Sequence, residues 1–458
     1  MLKFHSKPVA EHSEVPVADE GELEQLVAHW SGREAPVGLL EDDASACYVV
    51  SIGSERDPVA RAAQLAEITA LVEHQGGRVV GQELCHLTKP NARTLLGSGT
   101  ASALAERARA AGATMLVLDA ELTPSQARNL EDAAGMAICD REAVILNVFL
   151  RHARTRRAKI QVEIAQLEYL RPRIRGLGLD MDQQTGGNRY ARGPGETASE
   201  LMARKLDGRL KELRSALAHS EVSSKVQRRK RSDCQRITLV GYTNAGKTSL
   251  MNALTSARLS ARDMPFETLD TTSRCLSRHG GEVVLSDTVG FIRRLPQRLL
   301  ASFESTLSEI SEATLLLLVV DVSDPERELQ LRTTTELLER MGAQAVPRFY
   351  VFNKLDRLEE PPDPEELGRL AAGHPWTALS ARDDRAVAEL EQRLIATVRS
   401  QEQSLTAFVP YTAGQLLSSI YANCRVTRSD AGDAGLTLQF QGPNAVMARI
   451  ARALGEME

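Results

Sequence analysis

The eight residues GYTNAGKT, which are Gly241, Tyr242, Thr243, Asn244, Ala245, Gly246, Lys247 and Thr248, keep the spacing G-x-x-x-x-G-K-[ST]. Glycines at these places let backbone N–H groups curl around phosphate oxygens. The lysine adds positive charge at the β- and γ-phosphates, and the next residue offers a hydroxyl to a magnesium ion. About 40 residues on, the word DTVG (Asp287, Thr288, Val289, Gly290) follows an apolar run at 283–286. Its carboxylate can hold a metal-bound water, and the Gly290 N–H can face a γ-phosphate. The run LLLLVVD also ends in an acid, Asp321, but no glycine follows at the required offset, so Asp321 reads as a strand-end cap.

NKLD (Asn353, Lys354, Leu355, Asp356) closes a further apolar run at 348–352. Its carboxylate can accept from both the N1–H and the exocyclic amine of guanine, a pair of donors that adenine does not present there. Ser380, Ala381 and Arg382 are placed to close over the base through their backbone. Between the first and second words lies FETLDTTSR, in which Phe266, Glu267, Thr268, Leu269 and Asp270 are the candidate γ-phosphate sensor and Thr268 the second hydroxyl on the metal. These words predict GTP or GDP as ligand with Mg²⁺ as cofactor. Thr248 and Thr268 are the expected metal ligands, and Lys247, Thr268 and Gly290 the catalytic candidates. After DTVG comes Phe291, where many GTP hydrolases place a glutamine to orient the attacking water. A benzyl group cannot do that, so the water must be placed by backbone, another side chain or a partner.

The elements that would hold these words follow from apolar periodicity. Each word ends an apolar run and precedes a polar or helical stretch, as in an open α/β sheet that binds ligands at its carboxyl edge. Upstream, apolar runs at 48–52, 78–80, 115–119 and 136–140 alternate with helical spacing at 58–74, 101–111 and 125–134, which predicts a small parallel-sheet domain. Residues 143–173 turn helical and basic. A glycine-rich stretch at 176–197 is expected to interrupt them, and Leu206, Leu210, Leu213 and Leu217 then mark the second arm of a helical hairpin that ends in a charged linker at 225–233. Downstream, 405–409 and 435–440 read as strands and 413–421 and a segment from 444 as helices.

The expected fold class is therefore α/β: a P-loop GTPase domain preceded by a small α/β N-terminal domain with a helical hairpin and followed by a small α+β C-terminal domain. The boundaries read as a polar leader at 1–44, the N-terminal domain at 45–142, hairpin and linker at 143–233, the GTP-binding domain at 234–400 and the last domain at 401–458.

Bulk composition sets outer limits. The 458 residues exceed one ordinary core, 42% are apolar and 26% charged, and 56 basic against 61 acidic residues exclude a chain that is basic throughout. Six scattered cysteines show no CxxC spacing, which implies neither a zinc site nor a disulfide framework and suits a reducing, cytoplasmic setting. No apolar run is long enough to span a bilayer.

Locally the charge is uneven. Arg151, Arg154, Arg156, Arg157, Lys159, Arg171, Arg173 and Arg175 crowd the hairpin, and Arg189, Tyr190 and Arg192 stand on its tip. Such a surface can bridge phosphates and stack on an unpaired base, and Arg154, Arg156, Arg157, Arg189, Tyr190 and Arg192 are the RNA-contact candidates. The residues alone leave open a nucleic-acid partner, a switch acting on another protein, or an RNA-remodelling NTPase.

The chain resembles the HflX GTPases, relatives of the Obg group within the translation-factor class. The resemblance rests on LTPSQARNLE (122–131), ARTRRAKIQVEIAQLEYLRPR (153–173), RGPGET (192–197), the loop at 241–250, FETLD, DTVGFIRRLP (287–296), SFESTLSEI (302–310) and NKLD. Family members usually read FATLDPTTR where this chain has FETLDTTSR, which keeps Thr268, and GGGIGTRGPGETQLE where it has GGNRYARGPGETASE. The resemblance implies GTP hydrolysis despite Phe291. It also implies a monomer, cytoplasmic and transiently ribosome-bound, whose hairpin enters the large (50S) ribosomal subunit near the peptidyl transferase centre and which separates stalled or idle ribosomes into subunits.

Overall fold

The computed structural model describes residues 45–53, 57–184, 198–230, 234–255, 272–277, 283–288, 290–296, 298–299 and 310–455. The expected leader, Phe266 to Asp270, Val289, Arg189, Tyr190 and Arg192 lie outside the described residues.

In the first unit, β1 (Ala46–Gly53), β3 (Met115–Leu118) and β4 (Ala137–Asp140) are buried almost throughout, and β2 (Arg78–His86) lies at the edge. The order is β2-β1-β3-β4, with every pairing parallel. Parallel neighbours need crossovers, which are here the helices α1 (Pro58–His74), α2 (Ser98–Ala110) and α3 (Pro124–Ala134). Their ends are written in the sequence. The Asp57 side chain accepts from the Val59 N–H ahead of Pro58, and Thr123 and Gln126 form a reciprocal capping box before α3, which stops at Gly135 with φ of 60°.

β4 leads directly into α4 (Arg141–His152), which Asp140 caps through the Ala143 N–H at 2.9 Å. The helical stretch expected at 143–173 is two helices, because the chain leaves helical geometry at Ala153 and restarts at α5 (Arg156–Gln184), where Thr155 accepts from the Ala158 N–H. α5 pairs with α6 (Ala198–Lys230). Ile160, Ile164 and Leu167 of one and Leu206, Leu210 and Leu213 of the other are buried in one cluster, with the Glu163–Arg209 and Glu168–Arg214 ion pairs alongside.

Two expectations are corrected here. The glycine-rich interruption does not begin at 176, since α5 continues to Gln184, and most of the charged linker is helix, since α6 continues to Lys230. A glycine costs about 1 kcal/mol in a helix interior, less than is needed to stop a helix already propagating from a packed segment. Arg173 also departs from the basic-face reading. It is buried, donates to Asp140 at 2.8 Å and to the Leu122 carbonyl at 2.9 Å, and lies 3.5 Å over the Tyr169 ring. Arg171 is paired with Asp207.

The second sheet runs β10 (Trp376–Ala378), β9 (Arg348–Asn353), β8 (Leu315–Asp321), β5 (Gln235–Gly241), β7 (Val283–Asp287), β6 (Thr272–Ser277), and only β6 is antiparallel. Alternate residues of β8 go to opposite faces. Leu315, Leu317 and Val319 join the cluster of Leu250, Leu390 and Leu394, whereas Leu316, Leu318 and Val320 join that of Leu331 and Leu338. Helices α7 (Lys247–Thr255) and α10 (Asp384–Arg399) cover the first face, and α8 (Arg327–Arg340) and α9 (Pro364–Leu370) the second.

Every strand of this sheet that was expected ends within a residue or two of its word, which brings the words to one edge. Neither β6 nor β10 shows apolar alternation; each is an edge strand with a single neighbour. The last unit is an antiparallel sheet, β11 (Gln403–Pro410), β13 (Gly435–Gly442), β12 (Arg425–Ala431), with α11 (Gly414–Asn423) and α12 (Asn444–Gly455) packed on Val409, Leu438 and Phe440. Among the described residues no helix is long and apolar enough to cross a membrane, and no group of three or more His, Cys, Asp or Glu is placed to hold a metal.

Candidate nucleotide site

β5 enters the loop at Gly241, whose φ of 151° and approach to β8 leave no room for a side chain: a Cβ there would lie 2.3 Å from the Val319 carbonyl oxygen. At the other end of the loop Gly246 has φ of 93°, and its Cβ would lie 2.3 Å from Asn353 Nδ2. Between them Asn244 turns the chain at φ of 63°. The loop therefore delivers its backbone onto the first turn of α7, where unpaired N–H groups and the positive helix end favour an anion.

Lys247 begins α7 and folds back over the loop, donating to the carbonyls of Gly241 at 3.0 Å and Tyr242 at 2.8 Å. Burial pushes its ammonium down to about 8, with Asp287 opposing that shift and Lys354 adding to it. Thr248 donates to Asp287 Oδ2 at 2.8 Å, and Asp287 is fully buried at the end of β7. A hydroxyl and a carboxylate side by side are hard oxygen donors of the kind magnesium takes when water and phosphate complete its shell. Thr248 and Asp287 thus fit the ion. Thr288 is anchored instead to the Leu239 carbonyl at 2.7 Å, which fixes the exit from β7.

Gly290 lies against the same loop. A Cβ there would meet Thr243 Cγ2 at 2.8 Å and Lys247 Nζ at 3.1 Å, so only glycine admits this approach. Phe291 does not face solvent. Its N–H donates to the Gly241 carbonyl at 3.1 Å, its carbonyl accepts from the Thr243 N–H at 2.7 Å, and its side chain, 1% exposed, belongs to the cluster containing Val240, Tyr242, Ile292 and Leu299. The residue at the usual glutamine position is a docking residue.

At the base end, Asn353 ties two words together. Its Nδ2 donates to the Ala245 carbonyl at 3.0 Å and its Oδ1 accepts from the Ala381 N–H at 2.9 Å. Lys354, with φ of 68°, pairs with Asp321 at 2.8 Å. Asp356 follows in a short 3-10 turn beginning at Leu355. One carboxylate oxygen accepts from Ser380 Oγ at 2.6 Å and the other from Arg382 at 3.2 Å, and the Ser380 hydroxyl is the main cause of its lowered pKa. Each oxygen keeps a lone pair for the edge of a base.

Gly241 through Thr248, Asp287, Thr288, Gly290, Asn353 through Asp356 and Ser380 through Arg382 thus gather along the carboxyl edge of the six-stranded sheet. Of the RNA-contact candidates that are described, Arg154 and Arg156 are exposed at the turn between α4 and α5, and Arg157 is half-buried. Sequence reasoning missed Glu67 and Arg293, which bond Tyr242 of the loop, and Arg141, which bonds both of them.

Three family models match in order along the chain: one described as the N-terminal region of a GTP-binding GTPase at residues 62–150, one as its middle region at 152–231, and one as a 50S ribosome-binding GTPase at 236–354. The GTPase HflX of Gluconacetobacter diazotrophicus is 39% identical over 438 residues, spanning 87% of this chain and 95% of that protein. The GTPase HflX of Spirochaeta thermophila is 37% identical over 90% of this chain and 97% of its own. A looser likeness, with a TM-score of 0.41 at 22% identity over 77% of this chain, runs to 99% of the GDP-bound crystal structure of a GTP-binding protein from Sulfolobus solfataricus. On the relatives' identity and coverage, the chain belongs to the HflX family of GTPases.

Proposed function

We propose that the chain binds GTP with magnesium along the edge of the six-stranded sheet, hydrolyses it, and uses nucleotide state to set its grip on the large ribosomal subunit. The observation that carries this reading is the joint placement of Lys247 and the Thr248–Asp287 pair at one end of that edge and Asp356 at the other. In this reading the amides from Asn244 to Thr248 cradle the phosphates, and Lys247 exchanges its two carbonyl partners for phosphate oxygens. Thr248 and Thr268 would hold magnesium directly and Asp287 through water. Bound there, the ion would neutralise charge on the phosphate oxygens.

Gly290 offers its N–H to the γ-phosphate, and Asp356 selects guanine. With Phe291 packed inward, its side chain does not place the attacking water, so intrinsic turnover is slow and a bound subunit accelerates it. Support for the ribosome as partner comes from the family description matched by 236–354 and from the exposed Arg154 and Arg156. The finer reading is that the GTP-bound form separates stalled or idle ribosomes into subunits in the cytoplasm.

Sucrose-gradient sedimentation with a non-hydrolysable GTP analogue is the test. Co-migration with large subunits, weakened by salt, is expected. A chain that stays at the top of the gradient at low salt, while still binding the analogue, would refute ribosome recognition and leave a protein-directed switch.

A further inference from the structure

In the four-stranded sheet the connection order reverses at β1, which is paired with β2 on one side and β3 on the other. Open α/β sheets bind ligands in the crevice outside the carboxyl ends of the two strands flanking such a reversal. Among the described residues, buried polar side chains of the chain itself meet at that end of the sheet. Asp119, just past β3, accepts from Ser51 of β1 and from Arg141, whose side chain is almost wholly buried. Arg141 also donates to Glu67 of α1 and, at 2.8 Å, to the backbone carbonyl of Arg293, three residues beyond Gly290.

A second path joins the same places. The Tyr242 hydroxyl, on the phosphate loop, donates to the other oxygen of Glu67 and accepts from the Arg293 N–H at 3.0 Å. Burial, with Glu67 adding to it, raises the phenol's pKa well above its usual value, so the hydroxyl remains a donor at any working pH. Both main-chain polar groups of Arg293 are therefore held by a buried network rooted in the first unit, and its side chain is held by Glu326 at 2.6 Å.

We propose that Glu67, Arg141 and Tyr242 are positioning residues through which the N-terminal α/β unit latches residues 290–293 onto the phosphate loop and so biases the site against the triphosphate. The proposal rests on the nucleotide reading above. In the latched arrangement the Phe291 carbonyl takes the Thr243 N–H, and Gly290 sits against Lys247, where a γ-phosphate is expected to reach. A diphosphate leaves that contact in place, whereas a triphosphate has to shift it. Shifting it strips Arg293 from two buried partners, and the Arg141 guanidinium and Tyr242 hydroxyl left without it then count against the GTP state. The first unit thereby gains a say in which nucleotide is held.

The test uses the full chain with Glu67→Gln and Arg141→Lys. GDP and a non-hydrolysable GTP analogue are titrated by calorimetry, and hydrogen exchange is followed at the amides of 291–293. Each substitution is expected to leave GDP affinity within about twofold and to improve affinity for the analogue about three- to tenfold, the scale of one or two lost buried hydrogen bonds. Exchange at Arg293 should quicken in both variants. Equal losses of affinity for both nucleotides, or an unchanged ratio in two folded variants, would overturn the latch by leaving these residues a general structural role. If the unsubstituted chain bound neither nucleotide, the site reading would fall, while unaltered exchange at Arg293 in both variants would separately dispose of the latch contact.

Discussion

Replacing Phe291 by the glutamine found in many GTP hydrolases is expected to damage this protein and leave its chemistry no faster. The ring is 1% exposed and belongs to the buried apolar cluster that includes Val240, Tyr242, Ile292 and Leu299. Removing it from that cluster forfeits about 2–3 kcal/mol of apolar burial. Burying a primary amide without partners there adds about 1–3 kcal/mol. The total, about 3–6 kcal/mol, is a large share of the roughly 5–15 kcal/mol that holds a domain together. Detaching residues 290–292 instead would break the two main-chain bonds with Gly241 and Thr243, at about 1 kcal/mol each, and expose the rest of the apolar surface they cover. Either route lowers the melting midpoint, by about 10 °C or more for a domain of this size. The assay pairs thermal unfolding with GDP present and single-turnover GTP hydrolysis, with Phe291→Leu as the volume-tolerant control. A Phe291→Gln variant melting within about 2 °C of the unsubstituted protein and hydrolysing GTP about tenfold faster would show that the side chain faces the nucleotide, and the docking argument would be wrong.

Other expectations concern single contacts. Gly246→Ala puts a Cβ at φ of 93° and 2.3 Å from Asn353 Nδ2, so it should pull Asn353 off Ala245 and weaken GDP binding by about 30-fold or more in calorimetry. Asp356→Asn should bring GTP and ATP analogues within about tenfold of each other in competition binding, because the carboxylate is the group proposed to select guanine. Burial raises the Cys47 thiol to about 11 and Cys139 well above its usual value, so at pH 8 iodoacetamide should spare both in the native chain and modify both after denaturation, as peptide mass spectrometry would show. Arg154→Ala with Arg156→Ala should leave GTP affinity unaltered and lower the salt slope of subunit binding by about 2, measured by co-sedimentation at several salt concentrations.

Much of the fold was legible because parallel strands buried on both faces leave unbroken apolar runs. LLLLVVD at β8 and MLVL at β3 are visible without any neighbour. What escaped has one cause in three forms: the deciding interaction is not local. RVTRSDA at β12 and TSRCLS at β6 are strands only because a paired neighbour supplies their hydrogen bonds, and their exposed faces carry no apolar alternation. The glycines at 176 and 178 read as a loop, but α5 runs through them. Arg173 looks like its exposed basic neighbours, yet it faces Asp140 and Tyr169 in the interior.

The site divides along the same line. A phosphate loop is a run of consecutive residues whose backbone conformations are dictated by glycines, so spacing alone marks it. Asp287 and the residues proposed to read the base belong to separate words, each of which follows a strand, and a parallel sheet aligns those ends without further instruction. Nothing comparable announces the network around Tyr242. Its contacts join positions 175 residues apart for Glu67 and Tyr242 and 152 apart for Arg141 and Arg293. A tyrosine in a phosphate loop reads as one of four free positions, and a glutamate in an amphipathic helix reads as part of its solvent side. Each residue is unremarkable in its own window, and burial makes their joint placement consequential, because a buried donor or acceptor left without its partner costs far more than an exposed one. A functional coupling made this way is carried by the packing of two units, and it becomes visible only when both sheets are in place.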